Sequence, residues 1–204
     1  DNIAGTAMGE SLVGGRGGDL ITLKGADVVY AGAGDDDLRV EDLEFVRADG
    51  GAGEDTLRLF GGGHTLDLTA RPDGDVVDVE VIDLGGADNK LVLAWRDLRA
   101  LAPRAHVVTV TGQSGTVEAD LKGAGFVDGG IQDGFHVYTH PVYTLRIAEA
   151  LQASLARAAA QPTAADLARP HELWIVPQVE HLLVVPAALP RAFAWLDARA
   201  PRQR

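Results

Sequence analysis

The sequence predicts a mainly β protein, in which a short parallel β-roll continues into a β-sandwich or β-solenoid-like region and ends in a small helical tail. Two observations predict this fold. A glycine-rich nine-residue pattern recurs between residues 14 and 58, which is typical of a chain wound into stacked turns. All 25 glycines lie before residue 135, whereas the last 54 residues contain 14 alanines and no glycine. We therefore divide the chain into residues 1–58, 59–149 and 150–204.

The composition excludes several classes of function. The chain has 204 residues, 46% of them hydrophobic, which is enough to bury a core. Its net charge of −12 disfavours nucleic acid as a partner and favours a cation. Cysteine is absent, so disulfides and thiolate zinc sites are excluded. No apolar run approaches the roughly 20 residues of a membrane span, and because the chain begins at Asp1 we expect it to be a fragment of a longer protein.

The repeated pattern has the form G-G-x-G-x-D-x-U-x, in which U is a large apolar residue. Complete copies span residues 14–22 and 50–58, and less regular copies span 22–30 and 31–39. Residues 5–13 look like a worn leading copy with Glu10 at the acidic position. Glycine adopts turn conformations that other residues resist, and the apolar residue should point inward from a very short strand. The pattern therefore predicts glycine turns that alternate with short strands.

The same turns concentrate oxygen ligands. Each turn exposes carbonyl oxygens and each copy adds one carboxylate, which suits Ca²⁺ because this ion takes six to eight hard oxygen ligands. Alternate copies should share one edge of the roll, with Asp27 and Glu10 on the other edge. The predicted calcium ligands are Asp19, Asp36, Asp55, Asp27, Gly15, Gly17, Gly32, Gly34, Gly51 and Gly53. Glycine and aspartate are also common in ordinary turns, so a roll with partly degenerate sites is the alternative.

One segment interrupts the repeats. Residues 40–49 stand where another copy is expected, and Leu43, Phe45 and Val46 predict a strand there. We expect this segment to interrupt calcium binding on the Asp27 edge.

The nonapeptides resemble those of the RTX (repeats-in-toxin) family, and the resemblance covers roughly residues 3–149. Members of that family leave Gram-negative bacteria through type I secretion machinery and fold outside the cell on meeting calcium. The resemblance thus implies a secreted or cell-surface location. Residues 55–93 are similar to the region that closes many large RTX adhesins. There, residues 85–91 resemble a G-x-G-x-N-x-L element, which implies Asp88 and Asn89 as further ligands, while residues 112–117 lack the aspartates of a later element.

The tail departs from this resemblance. Ile147, Leu151 and Leu155 recur at every fourth position and predict a helix over residues 145–160, ended by Pro162. Further elements are predicted as helices at 163–169 and 191–199 and as strands at 173–176 and 182–185. Two interpretations of the tail stay open: the C-terminal export signal that the resemblance implies, read by the type I secretion machinery, and a cap over the end of the sheets.

No catalytic arrangement is predicted. None of the three serines stands in a G-x-S-x-G motif, and His171-Glu172 lacks the second histidine of H-E-x-x-H because Ile175 occupies that position. We expect a calcium-binding structural module of a secreted adhesin or exoprotein and not an enzyme. The alternatives are the accessory domain of a secreted protease, lipase or polysaccharide-modifying enzyme, and a calcium-dependent sugar- or peptide-binding module. The sequence does not indicate an oligomeric state.

Overall fold

The structure is a computed structural model that describes residues 1–86, 88–121 and 123–156, with the backbone alone for 152–156. These residues belong to one compact unit, Asp1–Ala158. The unit is mainly β, with mostly parallel sheets. In the part of the chain that is described, no helix has both the length and the apolarity needed to cross a membrane.

Short strands make up most of this unit. A single short α-helix, α1 (Asp97–Leu101), and a 3₁₀ turn at Leu68–Ala70 are the described helical segments. The strands are β1 (Asn2–Ala4), β2 (Ser11–Arg16), β3 (Leu20–Leu23), β4 (Val28–Ala33), β5 (Asp37–Val40), β6 (Arg47–Ala52), β7 (Thr56–Leu59), β8 (Thr65–Asp67), β9 (Val76–Val77), β10 (Val81–Asp83), β11 (Lys90–Ala94), β12 (Val107–Thr111), β13 (Thr116–Asp120), β14 (Val127–Gln132), β15 (Phe135–Thr139), β16 (Thr144–Ala148) and β17 (Gln152–Ala156).

The described strands form three sheets, and the chain passes from one to another in successive coils. Sheet 1 has the order β1-β3-β5-β7-β10-β12-β16-β15-β14. Sheet 2 has the order β2-β4-β6-β9, and sheet 3 has the order β8-β11-β13-β17. All pairs are parallel except β14–β15 and β15–β16, which are antiparallel. Each coil up to β13 therefore contributes one strand to sheet 1 and returns through sheet 2 in the repeats or through sheet 3 beyond them, except that β8 and β9 of one coil join both. The consecutive strands β14, β15 and β16 all belong to sheet 1.

The inward position predicted for the apolar residue of each repeat is confirmed. In sheet 1 the register stacks Ile21 on Leu38 and Leu38 on Leu57, and all three are fully buried. Val29, from the irregular copy at 22–30, is buried in the same way in sheet 2. The row in sheet 1 continues beyond the repeats through Ile82, so one hydrophobic core runs through repeat and non-repeat coils.

The strand predicted around Leu43 to Val46 is wrong. Residues 41–46 form the turn between β5 and β6. Phe45 is nevertheless buried, because the Arg71 guanidinium lies 4.2 Å from its ring centroid and covers it. Arg71 also donates hydrogen bonds to the carbonyl oxygens of Phe45, at 3.0 Å, and Leu43. The apolar run thus anchors a turn.

The helix predicted over residues 145–160 is also wrong as far as the described residues reach. This part of the chain contains β16 and β17. Leu145 and Ile147 are buried and alternate with the half-buried Thr144 and Arg146, which is the period of a strand. The helices and strands predicted between residues 163 and 199, and the interpretations of the tail, lie outside the described residues.

Candidate functional site

The structure stacks three of the predicted ligands, Asp19, Asp36 and Asp55, in one ladder. Each lies in the turn that leads from sheet 2 into sheet 1, directly before β3, β5 or β7. The backbone N–H of Asp19 donates to Asp36 Oδ1 at 2.7 Å, and that of Asp36 donates to Asp55 Oδ1 at 2.9 Å. Each carboxylate is thereby tied to the backbone of the preceding coil. The stacking expected of alternate repeats is present on this edge.

One acidic residue that the repeat pattern did not indicate extends the ladder. The Asp55 N–H donates to Glu80 Oε2 at 3.0 Å, and at the other end of the ladder the backbone nitrogen of Asp1 donates to Asp19 Oδ1. Glu80 follows no glycine pair and lies 25 residues from Asp55, so the nine-residue pattern could not find it. The available signal was strand alternation, because Glu80 precedes buried Ile82 by two positions, as Asp55 precedes buried Leu57.

Each of the three aspartates keeps one carboxylate oxygen without a hydrogen-bond partner. Oδ2 of Asp19, Asp36 and Asp55 is buried and unpaired, and the exposed fractions of these residues are 4%, 2% and 0%. Asp19 Oδ2 lies against the backbone of Gly14, where a Cβ would be 2.6 Å from it. A buried ionised oxygen without a partner is costly. A positively charged group beside these three Oδ2 atoms would therefore stabilise the ladder.

The predicted turn glycines stack beside the ladder. Gly15, Gly32 and Gly51 share one register in sheet 2, and all three have positive φ. A Cβ on Gly32 or Gly51 would overlap the carbonyl oxygen of the glycine in the preceding coil. These positions therefore require glycine both for the backbone conformation and for the close approach.

The second glycine of each turn leaves its carbonyl group available. Gly17, Gly34 and Gly53 directly follow β2, β4 and β6 and also have positive φ. The Gly17 N–H donates to Ala33 O of the next coil at 2.7 Å, and the Gly34 N–H donates to Ala52 O at 2.8 Å. Among the described residues, no backbone N–H outside the strand pairings donates to the carbonyl oxygen of Gly17, Gly34 or Gly53. These carbonyl groups and the ladder aspartates thus belong to the same turns between sheet 2 and sheet 1.

Burial and like charge raise the pKa values of the Asp36, Asp55 and Glu80 carboxyls. Burial raises the pKa of Asp55 to about 7, and the neighbouring Asp36 and Glu80 add to the effect. The pKa of Asp36 is raised by burial and by the charges of Asp19 and Asp35. Burial likewise raises the pKa of Glu80. Within the described ranges, no lysine or arginine forms an ion pair with Asp36, Asp55 or Glu80.

The donor set fits calcium better than the other common metal ions. No group of three histidine, aspartate or glutamate side chains in the described residues is arranged to hold a metal, so a cation at the ladder would depend on carbonyl oxygens as well as carboxylates. Such mixed, irregular oxygen sets suit Ca²⁺. Mg²⁺ demands near-octahedral geometry and keeps its waters, whereas Zn²⁺ prefers nitrogen and sulfur ligands. The unpaired Oδ2 atoms are the feature that a hard cation would complete.

The opposite edge differs, because its acids are already hydrogen-bonded. Asp27 Oδ1 accepts the Glu10 N–H at 2.7 Å, and Asp27 Oδ2 accepts the Lys24 N–H at 2.9 Å. Glu10 accepts hydrogen bonds from the side chain and backbone of Thr6, which lower its pKa. The next coil places Val46 opposite Asp27, and its acid at this edge, Asp42, accepts the Gly25 N–H at 3.0 Å. Asp27 therefore works as a turn-stabilising residue in this structure.

The two ligands implied by the later element, Asp88 and Asn89, lie outside the ladder. Asp88 is exposed and its N–H donates to Ser114 Oγ at 3.3 Å. Asn89 is fully buried, and its Nδ2 donates to Gly61 O and Leu84 O, both at 3.0 Å. Asn89 Oδ1 accepts the His64 N–H at 2.8 Å, so the amide is engaged at both ends.

The structure therefore brings together the ladder aspartates and the six turn glycines on one edge, and leaves Asp27, Asp88 and Asn89 elsewhere. The unpaired carboxylate oxygens are confined to the ladder among the predicted ligands. Comparisons of the chain with protein-family models, with curated proteins and with solved structures gave no match.

Proposed function

We propose that this chain is a calcium-binding structural module whose ladder edge binds Ca²⁺ and thereby stabilises a parallel β-roll. The observation that supports this most strongly is the row of three buried Oδ2 atoms without partners, on Asp19, Asp36 and Asp55. Stacked like charges in a desolvated edge oppose folding. A bound divalent cation would reverse that effect, because it supplies the missing charge and the missing contacts.

In this proposal the ions lie between successive coils. Asp19 and Asp36 hold one ion and Asp36 and Asp55 hold the next. The carbonyl oxygens of the adjoining glycine turns complete each set, from Gly15, Gly17, Gly32, Gly34 and Gly53, whereas that of Gly51 accepts a hydrogen bond from Arg104. Because each ion would contact two coils, its binding energy becomes folding energy for the stack.

The biological role that we propose is a non-enzymatic one in a secreted or cell-surface protein. The resemblance of the nonapeptides to RTX repeats supports this, together with the acidic composition. Where free calcium is scarce, repulsion along the ladder destabilises the folded repeats, and a chain that unfolds readily suits export through a narrow channel of type I secretion machinery. Millimolar calcium outside the cell then folds and stiffens the module, as an adhesin or other exoprotein requires.

Thermal unfolding in EGTA and then in calcium tests the proposal. An ion present at 100 times its dissociation constant adds about 2.7 kcal/mol per site, which corresponds to a rise in Tm of roughly 5–10 °C for a chain of this size. Magnesium at the same concentration should give a much smaller rise. No gain in Tm or in circular dichroism on adding calcium would contradict the proposal.

The variant Asp36→Asn locates the effect, because Asp36 contributes to both ion positions. The amide oxygen can still accept the Asp19 N–H, so the metal-free fold should persist. We expect this variant to lose most of the calcium-induced rise in Tm. Glu118→Gln is the matched control, since it removes the same charge from an exposed pair with Lys90 and should keep the full rise.

A further inference from the structure

We infer that a further cation site lies outside the glycine repeats, between Asp55 and Glu80, where the last repeat coil meets the first non-repeat coil. The inference rests on the proposed calcium binding and extends it to a site that the nonapeptide pattern does not contain. Its ligand class is a hard divalent cation, Ca²⁺ in the first place. Its donors are the carboxylates of Asp55 and Glu80 and the carbonyl oxygen of Asp78.

Two of these oxygens approach the same point in the fold. A Cβ built on Gly50 would lie 2.7 Å from Asp55 Oδ2 and even closer to Asp78 O. Gly50 is buried and has no side chain to fill that position. The Asp78 carbonyl oxygen and Asp55 Oδ2 therefore both lie against the backbone of Gly50, although Asp78 comes from the coil that follows the repeats.

The unpaired oxygen of Asp55 points to a missing partner. Asp55 is fully buried, its Oδ1 accepts the Asp36 N–H, and its Oδ2 has no partner. Glu80, 8% exposed, is tied to the same place because its Oε2 accepts the Asp55 N–H at 3.0 Å. Asp55 and Glu80, from adjacent coils, thus meet in a desolvated position where Asp55 Oδ2 lacks a hydrogen-bond partner.

The nearest arginine contact does not neutralise this pair. Arg104 donates to Asp78 Oδ1 and, at 3.0 Å, to Gly51 O. Its side chain is 68% exposed, and among the described residues its ion pair is with Asp78 and not with Asp55 or Glu80. Arg104 thus covers the outer side of the junction, and the inner side is left to the cation.

An ion at this position would join two parts of the fold. Asp55 precedes β7 of the last repeat coil, and Glu80 precedes β10 of the first coil beyond the repeats. The pairing of β7 with β10 is the only sheet 1 contact between these coils in the described residues. The site would therefore make the docking of the non-repeat coils depend on calcium.

The test is calcium stoichiometry of the full chain by equilibrium dialysis and calorimetry, with CaCl₂ as the probe. Glu80→Gln keeps an oxygen that can accept the Asp55 N–H but removes the charge. We expect it to bind one calcium ion fewer than the unaltered chain, whereas Glu118→Gln binds the same number. In EGTA the Tm of Glu80→Gln should not fall below that of the unaltered chain, because a buried charge has been removed.

The outcomes separate this inference from the proposal on which it rests. If the unaltered chain binds no calcium, both are wrong. If it binds calcium and Glu80→Gln keeps the same number of ions at the same affinities, only the inference is overturned. Should Glu80→Gln fail to fold, Glu80→Asp replaces it: the shorter carboxylate should keep the ion count and weaken one ion at least tenfold, and unchanged affinities would again overturn the inference.

Discussion

Three consecutive aspartates, Asp35 to Asp37, show how the backbone assigns different tasks to one residue type. Asp35 Oδ1 accepts the Glu54 N–H of the next coil at 2.9 Å. Asp36 faces the interior and belongs to the ladder. Asp37 Oδ1 lies 3.6 Å from Arg58 Nε, on the outer face of sheet 1. Successive residues point to opposite faces at the start of β5, so only the middle carboxylate is buried.

Gly34 gives a prediction about the turns. It has a φ of +133°, and a Cβ there would lie 2.5 Å from Gly17 C and 2.7 Å from Gly17 O. We expect Gly34→Ala to lower the free energy of unfolding by roughly 3 kcal/mol or more, as strain and overpacking combine. Gly17→Ala is the control, because Gly17 has a φ of +90° but no atom within 4 Å of a Cβ. Urea unfolding of both variants measures the difference, and equal losses would contradict this role for the close approach.

The raised pKa of Asp55 predicts how the metal-free chain responds to pH. The pKa of its carboxyl rises from an ordinary value of 3.8 to about 7 on folding, so the folded state binds the proton more tightly than the unfolded state. The stabilisation from that proton is complete below about pH 4 and is lost as the pH rises to 7. In EGTA we expect Tm to fall by roughly 5 °C or more between pH 5 and pH 7.5.

Asp55→Asn is the matched variant for this pH dependence. Its side chain is uncharged at every pH, so its Tm should vary much less over the same range. If the Tm of the unaltered chain in EGTA rises with pH over this range, protonation of the ladder does not determine how stability depends on pH.

At the scale of elements, Asn89 links the turn before β8, the end of β10 and the start of β11 through one buried amide. Its hydrogen bonds reach Gly61, His64 and Leu84. We expect Asn89→Ala to lower the free energy of unfolding by about 3 kcal/mol, at about 1 kcal/mol for each of three hydrogen bonds. Asp88→Asn, at an exposed neighbour with a φ of +53° that asparagine tolerates, should change it by less than about 0.5 kcal/mol. Chemical denaturation in EGTA measures both, and an Asn89→Ala effect as small as that of Asp88→Asn would contradict the linking role.

Elements were predictable where the repeat itself determined them and less so elsewhere. The spacing of Asp19, Asp36 and Asp55 predicted their shared edge, because each coil there has nearly constant length. The pattern could not show that the N–H groups of Glu10 and Lys24 bond both oxygens of Asp27, since a pattern of side-chain types does not describe main-chain donors. The four-residue spacing in the tail was ambiguous, because four is an even number and fits strand alternation as well as a helix.

At the scale of the whole molecule, calcium should act unevenly along the stack. The ladder residues lie in the coils built from sheets 1 and 2, whereas β11 and β13 of sheet 3 carry none of them. We expect hydrogen exchange in calcium to slow most, relative to EGTA, in β3 to β7 and in β10, and less in β11 and β13. Mass spectrometry of peptic peptides measures this. Uniform protection along the described strands would mean that calcium acts on the stack as one unit.

The switch from sheet 2 to sheet 3 was not predictable from the repeats. It occurs after β7, where β8 joins sheet 3 and β9 closes sheet 2 within the same coil. Neither short strand has a glycine pair or a nonapeptide match, so the sequence offered only a general expectation of further strands. Leu57 and Ile82 pair across this switch and both belong to the core, so the hydrophobic core is continuous there.

The ladder spacing also restricts how a gene for such a chain can change in length. Neighbouring ladder acids are 17 and 19 residues apart in the repeats, and each sits in phase with a buried row. A single-residue insertion inside a strand would turn Leu38 outward and Asp37 inward, and would break the register with both neighbours. Changes of length inside a strand are thus excluded, whereas the turns absorb small ones, as the spacings of 17 and 19 residues show, and duplication of a whole coil is the simplest route to a longer protein.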